Sequence, residues 1–180
     1  MFRNSLLKQL MNYQAYDQKE EADRLGLIDF VKNDSACFER LDGKCHITAS
    51  AWIENDEGTA FVLLLHKKLN IWLHPGGHAE GDSNLYSVAR KEALEETGLL
   101  DISPVSKGIF DIDSHVISCS KNKKPVLHYD IRFLFKCGSF ERFNDCEERI
   151  DIRWFTELPP NCSHIQRLYE KWLLNNLRRI

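Results

Sequence analysis

Three glutamates, Glu92, Glu95 and Glu96, lie at i, i+3 and i+4 in the run LYSVARKEALEETGL, which closes on Gly98 and Leu99. At about 100° per residue this spacing places them in one helical sector. Leu85, Val88 and Ala89 share that sector, whereas Ser87, Arg90, Lys91 and Leu94 occupy the other side. The carboxylates therefore extend an apolar stripe. Like charges about 6 Å apart repel by roughly 3 kcal/mol at an effective dielectric of ~20. Like charges at i,i+4 also weaken a helix, and glutamate near a helix C-terminus opposes the macrodipole. A divalent cation turns all three penalties into attraction. Oxygen ligands with no thiolate or imidazole pair beside them select a hard ion, Mg²⁺ or Mn²⁺.

The elements that must position these acids are a glycine turn and a helix. Ile71 to His74 lead into Pro75-Gly76-Gly77, where glycine lets the main chain approach a polyanion that a side chain would hold off. His74 and His78 bracket the turn: His78 either donates to a substrate oxygen or caps backbone groups, and His74 reads as structural. Ser83 is the expected helix N-cap, with Asp82 as its competitor, and Gly98 fits a C-cap glycine.

The segment from Gly77 to Leu99 resembles the signature of the Nudix (MutT-like) hydrolases, G-x5-E-x7-R-E-U-x-E-E-x-G-U, where U is a bulky aliphatic residue. Gly77, Glu92, Glu95, Glu96, Gly98 and Leu99 occupy their signature positions, and Ala93 fills a U position weakly. Two positions depart: Ser83 stands where the family has Glu, and Lys91 where it has Arg. Lys91 keeps the charge but lacks the planar fork that holds a carboxylate; an i,i+4 pair with Glu95 remains open to it. Ser83 is no carboxylate ligand, and Glu80 or Asp82 can supply the missing charge.

The resemblance implies an α/β fold, a Nudix-type α/β/α sandwich with a mixed sheet, over residues 44–160. Residues 1–43 are then an N-terminal helical extension and 161–180 a C-terminal helix packed on the domain. It further implies a hydrolase of the pyrophosphate bond in a nucleoside diphosphate-linked small molecule. Glu95 and Glu96 would be the main ligands of Mg²⁺ or Mn²⁺, and Glu92 a further ligand or the base that activates water. Gly76 and Gly77 would lie near metal and phosphates, with Gly77 contributing to the metal site and a loop acid, Glu147 or Glu148, supplying another ligand. Three other readings stand beside this one: a nucleotide-binding module that no longer turns its ligand over, an isoprenoid-diphosphate isomerase, for which no cysteine has a supporting context, and a capping enzyme acting on RNA 5′ ends, to which the charge balance gives no help.

With 180 residues and a formal net charge of −3, the chain is long enough for one domain with a real core and carries no basic footprint for nucleic acid. No apolar run is long enough to cross a bilayer, and the N-terminus lacks the features of a secretory signal. Cysteines at 37, 45, 119, 137, 146 and 162 show no C-x-x-C or zinc spacing. Reduced thiols in a cytoplasmic protein are the expectation.

Residues 2 to about 33 read as two helices from the recurrence of Leu6, Leu10 and Met11, then Ala22, Leu25, Ile28 and Val31, with Asp17 and Glu20 as N-cap and capping box between them. A hairpin packed on the domain is the plain reading; a homodimer contact or a lid is the sharper one. Residues 46–53 and 59–66 read as strands, the second buried on both faces.

Two further strands carry polar rows. Asp111, Asp113 and His115 share one face of GIFDIDSHVIS, and His128, Asp130 and Arg132 share one face of VLHYDIRFLF. The linker SKNKKP makes them expected antiparallel neighbours. Alternating polar residues usually mean a solvated face, but acid mixed with imidazole and arginine points to a substrate cleft. Asp113, His115, His128, Asp130 and Arg132 are the candidates, with Arg132 matched to phosphate oxygens. RIDIRWF is the last strand, and Ser163 or Asn161 is the expected cap of a final helix striped by Ile165, Leu168, Trp172 and Leu173.

Overall fold

A computed structural model of the chain describes residues 2–106, 108–117, 125–138, 143 and 149–179. Two helices, α1 (Phe2–Asn12) and α2 (Gln18–Asn33), precede the strands β1 (His46–Asn55), β2 (Phe61–His66), β3 (Trp72–Leu73) and β4 (Gly76–His78). The helix α3 (Leu85–Thr97) leads to β5 (Ser103–Pro104), β6 (Asp111–Ile117), β7 (Val126–Cys137) and β8 (Arg149–Phe155). A 3₁₀ turn (Ser163–Ile165) then opens α4 (Gln166–Leu177).

The strands form one mixed sheet with main order β3-β2-β1-β7-β5, in which β4 also pairs with β1, β6 with β7 and β8 with β2. The parallel pair is β1–β7, from His46 opposite His128 to Asn55 opposite Cys137. The expected β6–β7 antiparallel pairing is present, and its register sets Asp111 opposite Arg132, Asp113 opposite Asp130 and His115 opposite His128. The two polar rows thus meet on one face. The expected hairpin tip, with Lys121, Lys123 and Lys124, lies outside the described residues.

Alternation along the strands divides their apolar residues between two cores. Ile47, Ala49, Ala51 and Ile53 of β1, Val62 and Leu64 of β2, and Ile131, Phe133 and Phe135 of β7 pack with Leu85, Val88, Ala89 and Ala93 of α3. Leu6, Leu10, Leu27, Ile28 and Val31 bring α1 and α2 into the same core. On the other face Trp52, Phe61, Leu63 and Leu134 pack with Leu168 and Trp172 of α4. The arrangement is helix, sheet, helix, with the N-terminal pair laid along the β6 edge. Leu173, expected on the buried stripe of α4, is 39% exposed.

The helix caps differ in part from expectation. Asp17 caps α2 by accepting from the Glu20 backbone N–H at 2.7 Å, but the Glu20 carboxylate does not close a capping box on Asp17. It accepts from the Tyr16 N–H at 2.5 Å and from the Ile112 N–H at 2.9 Å. The reason is tertiary: an edge strand exposes unpaired N–H groups, and Glu20 with Asp23 satisfies those of Ile112 and Ser114. Asn84, not Ser83 or Asp82, caps α3, accepting from Ser87 N–H at 3.4 Å, while Asp82 accepts from Asn84 N–H. Gly98 ends α3 with φ 70°, the left-handed C-cap that glycine adopts without steric cost. No side chain caps α4, because the 3₁₀ turn precedes it; Asn161 has φ 65° instead.

Candidate active site

The glycine turn and α3 meet as the spacing requires. β4 pairs antiparallel with β1, Gly77 opposite Ala49 and Gly76 opposite Ser50. A Cβ on Gly77 would lie 2.5 Å from Glu92 Oε2, so the carboxylate occupies space that only glycine leaves open. Gly76 N–H donates to Glu96 Oε2 at 2.8 Å. Arg149 Nε donates to the Glu96 carbonyl at 2.8 Å, satisfying an acceptor in the last turn of α3.

The three glutamates are not equivalent. Glu92 and Glu96 are half-buried against the turn, whereas the Glu95 side chain is 59% exposed. On a helical wheel Glu92 and Glu96 are about 40° apart, while Glu95 lies about 60° beyond Glu92, away from the sheet. Lys91 Nζ bridges Glu92 at 3.5 Å and Glu95 at 3.3 Å, an ammonium resting where carboxylates converge. An oxygen-only set with a cation already drawn to it fits a hard divalent ion beside the Gly76–Gly77 main chain. Glu148, the expected loop ligand, and Glu147 lie outside the described residues.

The strand-borne rows have other partners. Arg132 is 4% exposed and donates to Asp130 at 2.7 Å, Asp111 at 2.9 Å and Asp113 at 3.1 Å. The expected phosphate fork is thus held by three carboxylates of the sheet. Around them Lys171 reaches Glu20 at 2.6 Å and Asp111 at 3.3 Å. Arg167 reaches Asp111 and Asp113 at 3.4 and 3.3 Å, and Lys19 reaches Asp113 and Asp23 at 2.8 and 2.5 Å. Thr48 and Ser50 hydroxyls donate to Asp130. This network ties α2 and α4 to the sheet. Burial by itself would raise the Asp111, Asp113 and Asp130 carboxyls, but the cations and donors around them hold all three below the ordinary value.

The histidines separate into two settings. The His74 side chain is 8% exposed, its Nε2 3.7 Å from Asp130 Oδ2, and neither ring nitrogen has a hydrogen-bond partner among the described residues. Burial first, and Arg132 second, push its pKa down to about 4. His78 also lies at about 4, through burial and then Arg40. His78 Nε2 is 3.1 Å from His128 Nε2, which in turn is 3.3 Å from His46 Nδ1. Among the described residues, these three supply the one group of His, Cys, Asp or Glu ligand atoms lying within 4.8 Å of one another. His78, expected to bracket the glycine turn, thus belongs to a cluster of imidazoles on the sheet.

Sequence reasoning missed His46, Lys19, Arg167 and Lys171, and read Glu20 as a capping-box residue only. His46 shares the parity of Thr48 and Ser50, and that row faces the one on β7; this parity was its available signal. Arg167 and Lys171, at i,i+4 on α4, acquire meaning only when α4 is laid over the sheet.

Residues 44–157 match the NUDIX domain family model. A MutT NUDIX hydrolase from Burkholderia pseudomallei superposes with TM-score 0.54 at 20% identity, covering 71% of this chain and 95% of that one. An ADP-ribose pyrophosphatase from Streptococcus suis superposes with TM-score 0.50 at 18% identity, covering 72% and 91%. At these identities the likeness is one of fold. A comparison with curated proteins found no match. Together, the glycine strand packed against a carboxylate-bearing helix, the mixed sheet between helical layers and a match across more than half of its length establish that this chain belongs to the Nudix family.

Proposed function

We propose that this protein hydrolyses a pyrophosphate bond in a nucleoside diphosphate-linked small molecule, with Mg²⁺ or Mn²⁺ held at the α3 carboxylates. The observation that carries this reading is the seating of Glu92 and Glu96 against the Gly76–Gly77 main chain. The ion, when bound, neutralises phosphate oxygens and lowers the pKa of a coordinated water. Glu96 and Glu95 would hold it, the Gly77 main chain would border it, and Glu92 would ligate it or take the proton from the attacking water. The bare glycine backbone admits the polyanion. Lys91, whose side chain is 65% exposed, could turn into solvent and yield Glu92 and Glu95 to a cation. His78, His115 and His128 stand on the β4–β6–β7 side as the remaining candidate contacts to substrate. The match to the NUDIX domain family supports the reaction class, and the fold is shared with a structure described as an ADP-ribose pyrophosphatase. A cytoplasmic location is part of the same proposal; among the described residues no helix is long and apolar enough to cross a membrane.

A second reading has its own observation. The Lys91 bridge and Ser83 in place of an acid suit a site that retains nucleotide without turnover. Incubating the purified chain with a panel of nucleoside diphosphate derivatives and Mg²⁺ or Mn²⁺ separates the two. Phosphate or nucleotide release from at least one member supports the hydrolase; tight binding with no release across the panel supports the binding module. Glu96→Gln and Glu95→Gln should each lower release on the order of 100-fold, as loss of a metal ligand worth several kcal/mol requires. Their circular dichroism should be unchanged, and wild-type turnover in either variant would refute the ligand assignment.

A further inference from the structure

We propose that His46, His78 and His128 form a three-imidazole site for a borderline divalent cation of the Zn²⁺ class, separate from the α3 carboxylates and open at one coordination position. The inference does not require the hydrolase reading, and it reassigns His78 and His128 from candidate substrate contacts to ligands of a cation.

Spacing is the first argument. Zinc–nitrogen bonds of about 2.0–2.1 Å at tetrahedral angles separate ligating nitrogens by roughly 3.3–3.4 Å. His46 Nδ1 and His128 Nε2 are 3.3 Å apart, His78 Nε2 and His128 Nε2 are 3.1 Å apart, and all three lie within 4.8 Å of one another.

The tautomers supply the second. His46 Nε2 lies 2.9 Å from the Leu41 carbonyl, and His128 Nδ1 lies 3.1 Å from the Val126 carbonyl. A carbonyl oxygen only accepts, so these two nitrogens carry the ring hydrogens. In the neutral rings His46 Nδ1 and His128 Nε2 are consequently bare, and two lone pairs face each other across 3.3 Å. One N–H from His78 can satisfy only one of them. A cation that receives all three lone pairs removes the conflict. Carbonyl oxygens on the far nitrogens are also the means by which ligating histidines are held in orientation.

Topology supplies the third argument. A Cβ on Gly77 would meet Glu92 of α3, whereas one on Gly76 would meet Ser50 of β1. Successive strand residues face opposite sides, so His78 shares the side of Gly76 and points away from Glu92. The strand register brings the rest together: His46 pairs with His128, and His78 pairs with Thr48, two residues along β1. His115 stacks on His128 with centroids 6.0 Å apart and planes at 12°, its own Nδ1 3.2 Å from Asp113. Three imidazoles without a carboxylate favour zinc, copper or nickel over magnesium, and three protein ligands leave room for an oxygen donor.

Metal-stripped, tag-free full-length protein titrated with Co²⁺ tests this. One equivalent should produce the visible ligand-field bands of tetrahedral cobalt without a sulfur charge-transfer band, and one equivalent of Zn²⁺ should abolish them. His46→Asn and His128→Asn should lose the bands while remaining folded by circular dichroism. Should either buried variant unfold, the half-buried His78→Asn decides, with at least tenfold weaker Co²⁺ binding expected. Glu92→Gln and Glu96→Gln should retain the bands. Folded wild-type protein without the bands, unchanged binding in His78→Asn, or loss of the bands in the glutamate variants would each overturn the proposal. Phosphate release is read separately, so failure of one site leaves the other testable.

Discussion

The carboxylates of α3 and those of β6 and β7 look alike in sequence, as acids recurring along one face of an element, yet their surroundings are opposite. Asp111, Asp113 and Asp130 are met by Arg132, Arg167, Lys171 and Lys19, and lie in a network that fastens two helices to the sheet. Glu92 and Glu96 press against the two glycines of β4, and the ammonium beside Glu92 is a solvent-exposed lysine. Saturated buried acids are costly to disturb, because removing one counter-charge leaves the others buried and uncompensated. Acids whose cation can be displaced are placed to exchange it. The comparison makes burial of the counter-charge, and not acidity or alternation, the property that separates a structural row from a candidate site.

The largest expected effect would break the structural half of this contrast. Arg132→Ala strands three carboxylates around an empty position, two of them fully buried, and should cost about 3–5 kcal/mol. Urea unfolding followed by circular dichroism reads this directly, and a midpoint equal to wild type would show that the network does not hold the fold. Glu96→Gln, by contrast, should leave that midpoint near wild type while removing turnover.

Next comes the pair of glycines. A Cβ on Gly76 would stand 2.8 Å from the Ser50 Cα, which is backbone and cannot yield, so Gly76→Ala should destabilise by about 1–3 kcal/mol. A Cβ on Gly77 meets the end of the Glu92 side chain, which can swing away. Gly77→Ala should therefore fold with near wild-type stability but release phosphate about tenfold more slowly. Equal loss of stability in both variants would erase the distinction.

The acid limb of stability sharpens the contrast further. The His74 pKa is about 4, because burial and then Arg132 oppose the imidazolium. An unfolded imidazole takes its proton near 6.5. Between about pH 6.5 and 4 the unfolded state thus binds the extra proton, and stability falls as pH drops through that window, by at most about 3 kcal/mol. His78, also near 4 through burial and then Arg40, acts in the same window, so His74→Gln should flatten part of this limb in a pH series of urea midpoints. The depressed carboxylates act lower: their contribution is present above the ordinary carboxylate range and is lost as pH falls below about 4. A limb unchanged in His74→Gln would assign the upper window to another group.

The smallest effect belongs to Lys91. Its pairs with Glu92 and Glu95 are solvent-exposed, and such pairs add little to stability. Lys91→Ala should leave the unfolding midpoint unchanged and make turnover depend on metal at lower concentration. A higher metal requirement would mean that the lysine assists the site.

Much of the architecture was legible in single residues. The i, i+3, i+4 glutamates, Gly98 and the apolar strand alternation each report a local rule: the helical period, the left-handed cap, the two faces of a strand. Cap residues were less legible, because Asp82, Ser83 and Asn84 all accept hydrogen bonds well and only the path of the loop chooses among them. Glu20 illustrates the limit most clearly. Its position relative to Asp17 suggests a capping box, yet its carboxylate serves an edge strand ninety-two residues away in sequence.

The chain by itself determined the periodic features: where helices and strands run, which of their faces are apolar, and that acids and glycines converge at one turn. Those follow from backbone geometry, which each segment carries locally. Tertiary structure alone decided which charges neutralise one another. It placed Arg132 among three aspartates, turned Glu95 outward and brought His46 of β1 and His78 of β4 against His128 of β7. Coulombic and coordination partners act through space over a few ångströms, and their distances depend on strand register and helix docking, which no local pattern encodes.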